Sequence, residues 1–145
     1  MSYETATPQV AVYILIERED KYLFVKRANT KWRNDWYGLI SGKVEKGESS
    51  RKAALREAKE EAGVDVAETY LKHILTMHRN EDGGTWIDLV FEAEKYEGEP
   101  YNAEPESHSE AIWLDPNSIP DNVIPSTRFM LEAIWAGKTY IEYGW

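Results

Sequence analysis

The amino-acid sequence predicts an α/β sandwich, a mixed β-sheet flanked by helices, on three observations. Short runs of β-branched and aromatic residues recur along the chain. A helical stretch with its own start and stop signals interrupts them at residues 50–62, and a second helix is expected near the C-terminus. Strands interleaved with two helices pack as layers, each element burying its apolar side against a neighbour.

The elements follow in order. Val10–Ile16 is apolar and β-branched throughout, which suits a strand buried on both faces. A turn at Glu17–Asp20 leads to a second strand, Tyr22–Val25, and the two are expected to form a hairpin. Ala28–Ser41 is rich in Asn, Asp, Gly and aromatics without helical period and reads as a loop carrying Trp32, Trp36 and Tyr37. The helix at 50–62 follows Ser49-Ser50, where a serine can cap it, and stops before Gly63, the usual residue of a left-handed terminus. Tyr70–Arg79 and Thr85–Ala93 flank Glu81-Asp-Gly-Gly84 and form a second hairpin. There Ile87, Leu89, Phe91 and Ala93 share one face, expected to be the core side, and Trp86, Asp88, Val90 and Glu92 the other. Glu97–Glu110 reads as a loop and Ala111–Leu114 as a short strand; Pro116, Pro120 and Pro125 then precede a final helix around Thr127–Ala136.

At 145 residues, with no internal repeat and no low-complexity linker, the chain is expected to be one domain spanning 1–145. The net charge of −9 repels polyanions, so long nucleic acid is disfavoured as a partner, while a small phosphorylated molecule whose charge is offset by divalent cations is not. With no cysteine, disulfides, thiolate metal sites and cysteine nucleophiles are excluded. The first residues carry no positively charged start and no long apolar run, and no membrane-length apolar segment occurs, so the expected location is cytoplasmic.

Each helical residue advances about 100°, so Glu57, Glu60 and Glu61 fall within an arc of about 100° on one face. Like charges at this spacing cost a few tenths of a kcal/mol per pair unless something positive sits among them. Carboxylates without cysteine or paired histidine favour magnesium, with manganese as a substitute, over zinc. On residue types alone, a solvated acidic face is the more ordinary explanation of the triplet.

The longer pattern separates the two. Gly42–Val64, GKVEKGESSRKAALREAKEEAGV, fits G-x5-E-x7-R-E-U-x-E-E-x-G-U, with U apolar, and so resembles the signature of the Nudix hydrolase family. Gly42, Glu48, Arg56, Glu57, Glu60, Glu61 and Gly63 fill its strictly specified positions, and Ala58 and Val64 its apolar ones. A chance match in one window is on the order of one in a hundred million at ordinary residue frequencies. Ser41 departs mildly from the pattern, standing where many relatives carry a second glycine.

The resemblance implies a Nudix-type α/β/α sandwich and magnesium-dependent hydrolysis of a phosphoanhydride in a nucleoside triphosphate or another nucleoside diphosphate derivative. It implies Glu57, Glu60 and Glu61 as metal ligands, with Glu57 or Glu61 as general base, and the backbone carbonyl near Ser41–Gly42 as a further ligand. Glu48 would contribute directly or through water, and Arg56 would orient a glutamate. A later acidic ligand is expected from the downstream loop, Glu106 first, then Glu104 and Glu110.

Arg27 and Lys43 are the candidate phosphate contacts; Trp32, Trp36, Tyr37 and Trp86 are candidates to stack on a base, with core packing the alternative for each. His73, His78 and His108 lack metal-ligand spacing and are assigned structural or surface roles. The expected partner is a small nucleotide, and a homodimer is left open. Within the family the nearest rival activity is an ADP-ribose or nucleotide-sugar pyrophosphatase; from another class, a silent nucleotide sensor predicts loss of motif glutamates, and none is lost.

Overall fold

The structure, a computed structural model, describes residues 4–145. Seven strands form one mixed sheet: β1 (Gln9–Arg18), β2 (Lys21–Arg27), β3 (Tyr37–Lys43), β4 (Leu71–Glu81), β5 (Gly84–Ala93), β6 (His108–Leu114) and β7 (Tyr140–Tyr143). Their spatial order is β6-β2-β3-β1-β5-β4-β7. β1 runs parallel to β5, and β4 to β7, while the other pairs are antiparallel.

The two helices cover opposite faces. Along β1 the side chains alternate between two apolar clusters: Val12, Ile14 and Ile16 meet Ala53, Ala54, Ala58 and Ala62 of α1 (Ser50–Ala62), whereas Leu15 packs with Met130 and Leu131 of α2 (Pro125–Trp135). Four alanines, all fully buried, let α1 lie close on β1 and β3. Ser49 caps the helix by accepting from the Lys52 amide at 3.2 Å, and Gly63 ends it at φ 71°. No described helix is long and apolar enough to cross a membrane.

Four expectations need correction. The first hairpin exists only at its turn, where Glu17 pairs with Tyr22 and Arg18 with Lys21; beyond it β1 lies against β3, and β2 against β3 and β6. The stretch Ala28–Ser41 is not loop to its end, because β3 begins at Tyr37. Glycines at 38 and 42 broke the strand pattern, and both sit where a neighbour comes close: a Cβ on Gly38 would lie 3.1 Å from Ile124 Cδ1. β7, four residues long and on the sheet edge, was not anticipated. Finally, β5 is buried on both faces, since Val90 and Asp88 are as inaccessible as Ala93.

Candidate functional site

α1 is amphipathic in an unusual sense, because two glutamates lie on its buried side. Glu57 and Glu61 are 8% and 9% exposed and face the C-terminal end of β3, while Glu60 stands at the surface. Arg56 ties the group together. Its Nε and Nη2 donate to the two oxygens of Glu48 at 2.8 and 3.0 Å, and its Nη1 donates to Glu57 at 2.6 Å and Glu60 at 3.2 Å. Nη2 also reaches the Lys43 carbonyl at 3.0 Å, so the arginine fastens the helix to the strand. The bidentate pairing holds the Glu48 carboxyl down to about 2.

Glu61 accepts from the Ser41 amide at 2.8 Å. Across from it stand Glu104 and His108, the three offering ligand atoms within 4.8 Å of one another. His108 Nε2 lies 3.9 Å from Glu61, and its buried Nδ1 has no hydrogen-bond partner among the described residues. Gly42 closes the other side: a Cβ there would sit 2.1 Å from Glu57 Oε1, so the carboxylate occupies the space a side chain would take.

Burial pushes the Glu57 carboxyl up to about 7, against the pull of Arg56 and with Glu60 and Glu104 adding to the rise. Burial likewise raises Glu61 well above the ordinary carboxylate range, and Glu104 moves the same way. Burial and Arg27 together lower His108, favouring the neutral imidazole that ligates metals. Clustered, desolvated carboxylates short of positive partners fit a divalent cation, which would supply the missing charge.

Beside this centre, on the α2 side of the sheet, is a cleft of about 540 Å³. Ser41, Gly42 and Lys43 lie along it, so the end of β3 separates the cleft from the carboxylates. Of the nominated contacts, Arg27, Lys43, Trp32 and Trp86 line the cleft, and Trp36 and Tyr37 do not. Tyr37 instead donates its hydroxyl to Glu110 and packs in the α2-side cluster. Trp36 lies under Arg33, 4.9 Å from guanidinium carbon to ring centre. Arg27 is partly engaged, donating to the Trp32 carbonyl at 2.9 Å.

A NUDIX-domain family profile matches residues 7–133. This chain belongs to the Nudix hydrolase family. It is 28% identical over 128 residues to a protein of Bacillus subtilis (strain 168) named as an uncharacterized Nudix hydrolase, covering 86% of this chain and 77% of that one. It is 32% identical over 113 residues to the ADP-ribose pyrophosphatase of Methanocaldococcus jannaschii, covering 78% and 65%. The crystal structure of a MutT NUDIX hydrolase from Burkholderia pseudomallei superposes with a TM-score of 0.79 at 28% identity, covering 87% of this chain and 97% of that one. The chain also matches mouse and human 8-oxo-dGDP phosphatases but spans only 24% and 33% of their lengths.

The structure separates the three nominated loop acids and adds residues that no motif marks. Glu104, ranked behind Glu106, is the loop acid beside Glu61; Glu106 is exposed and Glu110 holds Tyr37. His108, set aside as structural, is in the same group. Nothing in its sequence spacing marks it, because it comes from β6, which β2 and β3 separate from β1 in the sheet order. Arg79, Glu81 and Asp88 also line or underlie the cleft without any motif.

Proposed function

We propose that this Nudix protein is a magnesium-dependent hydrolase, with manganese as a substitute, that cleaves a phosphoanhydride in a nucleoside triphosphate or another nucleoside diphosphate derivative. One observation carries the reading: two buried carboxyls short of positive partners, Glu57 against Gly42 and Glu61 on the Ser41 amide, stand across the end of β3 from a cleft bearing Arg27, Lys43 and two tryptophans. A divalent cation, when bound, lowers the pKa of a water and offsets charge developing on phosphoryl oxygens.

The chain's own residues do the rest. Glu57, Glu60 and Glu61 would hold the cation, with Glu104 or His108, the neighbours of Glu61, favoured over exposed Glu106 as the downstream ligand. Glu57 or Glu61 takes the proton of the attacking water, a role suited to a carboxyl whose affinity is raised toward neutrality by burial. Arg56 keeps Glu57 and Glu48 in place through its fork. Arg27 and Lys43 meet the substrate's phosphates, and Trp32 and Trp86 flank its base.

A second reading, hydrolysis of ADP-ribose, is favoured by the name of the archaeal relative. The deciding experiment measures product identity for nucleoside triphosphates, their oxidised forms and ADP-ribose, with magnesium and with chelator. Magnesium-dependent release of a nucleoside monophosphate is expected. No turnover across the panel would overturn the proposal in favour of a silent nucleotide-sensing domain.

A further inference from the structure

At the end of the cleft formed by the β4–β5 hairpin the lining carries two acids, Glu81 and Asp82, and one arginine, Arg79. β4 ends at Glu81, which pairs with Gly84 across a two-residue turn, Asp82 and Gly83 at φ 54° and 80°. The turn is tight, so Glu81 has a defined direction. Arg79, two residues earlier on the same face, donates from Nη1 to Glu81 Oε1 at 3.1 Å. The arginine is itself immobilised by the fully buried Asp88, at 2.7 and 3.0 Å, and lies against Trp86, 4.9 Å from its ring centre. Glu81 is therefore a pre-oriented carboxylate, its side chain 13% exposed. Its second oxygen accepts no hydrogen bond from the described residues. On the facing loop, Trp32 Nε1 donates to Asp82 at 2.8 Å and joins the loop to the turn.

With Arg79 shared between Asp88 and Glu81, and Asp82 beside them, this end carries net negative charge and disfavours phosphate, so a nucleotide with its phosphates at Arg27 and Lys43 directs its base here. A carboxylate only accepts hydrogen bonds. We propose that Glu81 is the specificity-determining residue for the base and selects nucleotides whose base carries an exocyclic amino group, guanine foremost; this rests on the nucleotide reading above. Guanine offers N1–H and the N2 amino group side by side, a match for one carboxylate. Cytosine and adenine offer a single amino group. Uracil and thymine present one N–H between two carbonyl oxygens, which the carboxylate repels.

The test is kcat/KM for GTP and UTP, with Trp-fluorescence binding of GMP and UMP measured alongside, on the wild type and on Glu81→Gln and Glu81→Ala. Losing a charge-assisted pair of hydrogen bonds corresponds to roughly tenfold to a hundredfold. The wild type is expected to favour the guanine nucleotide by that ratio, and both variants to bring it to about threefold or less, through a loss of GTP turnover and a rise in UTP turnover as the repulsion of uracil is relieved, with the thermal midpoint near wild type. A wild type that treats GTP and UTP alike, or variants that keep the preference, overturn the inference. If no nucleotide is hydrolysed, the proposed function fails; the GMP and UMP affinities still decide whether Glu81 reads the base.

Discussion

Arg56 and Arg79 each gather carboxylates, on opposite sides of the sheet and in opposite ways. Arg56 is part of the surface, its side chain 23% exposed, and its partners Glu48, Glu57 and Glu60 come from one short stretch of chain. Arg79 is 7% exposed, and its partner Asp88 is wholly buried on the neighbouring strand. The first network leaves Glu57 and Glu61 with more negative charge than it neutralises; the second closes its pair at the base of the cleft. An arginine spread over several desolvated acids leaves room for a cation, whereas one locked by a buried aspartate on the next strand builds a wall and holds Glu81 beside it.

That difference can be broken from either side. On the helix side, Glu61→Gln is expected to lower turnover on the order of 10²–10⁴-fold, the range for loss of a positioned proton acceptor or comparable group. The thermal midpoint of the metal-free protein should stay level or rise, because a neutral amide replaces a carboxyl whose charged form burial disfavours. Near-normal turnover at saturating magnesium would remove Glu61 from the site. On the cleft side, Asp88→Ala takes from the Arg79 guanidinium its buried bidentate partner, leaving only the single contact to Glu81, and is expected to cost about 3 kcal/mol in urea unfolding. A loss below about 1 kcal/mol would mean that Arg79 finds water instead, and the comparison with Arg56 would lapse.

The smallest effect is on pH dependence, and it sharpens the contrast. Glu57 has an ordinary value of 4.5 and sits at about 7 in the fold, with Glu61 shifted the same way. Between those values the unfolded chain releases the Glu57 proton first, so the metal-free protein loses stability as pH rises from 4.5 to 7, with no further loss from this residue above that. Glu48 works in the other direction and in another window: held at about 2, it adds stability that is fully present above 4.5 and lost as pH falls toward 2. Thermal melts in chelator at pH 5 and pH 8 should show the lower midpoint at pH 8, with added magnesium restoring more at pH 8 than at pH 5. Equal magnesium effects at both pH values would mean that the cation is not held by these carboxylates.

The sequence by itself determined the elements whose signals are local. The helix at 50–62 was legible with both ends, because Ser49 and Gly63 act within a few residues of it, and helical spacing put Glu57 and Glu61 on one face. The second hairpin was legible from its Asp-Gly turn. Tertiary structure alone decided what depends on elements distant in the chain. β3 was hidden by Gly38 and Gly42, whose reasons are Ile124 and Glu57 packed against them. His108 and Glu104 join Glu61 only because β6 and the loop before it are carried alongside by the sheet. Trp36 and Tyr37, which looked equivalent to Trp32 and Trp86, were parted from the cleft by the direction in which β3 leaves its loop. Helix periodicity and turn chemistry operate over a few residues and can be read along the chain; a cleft is an agreement among strands that meet only after folding.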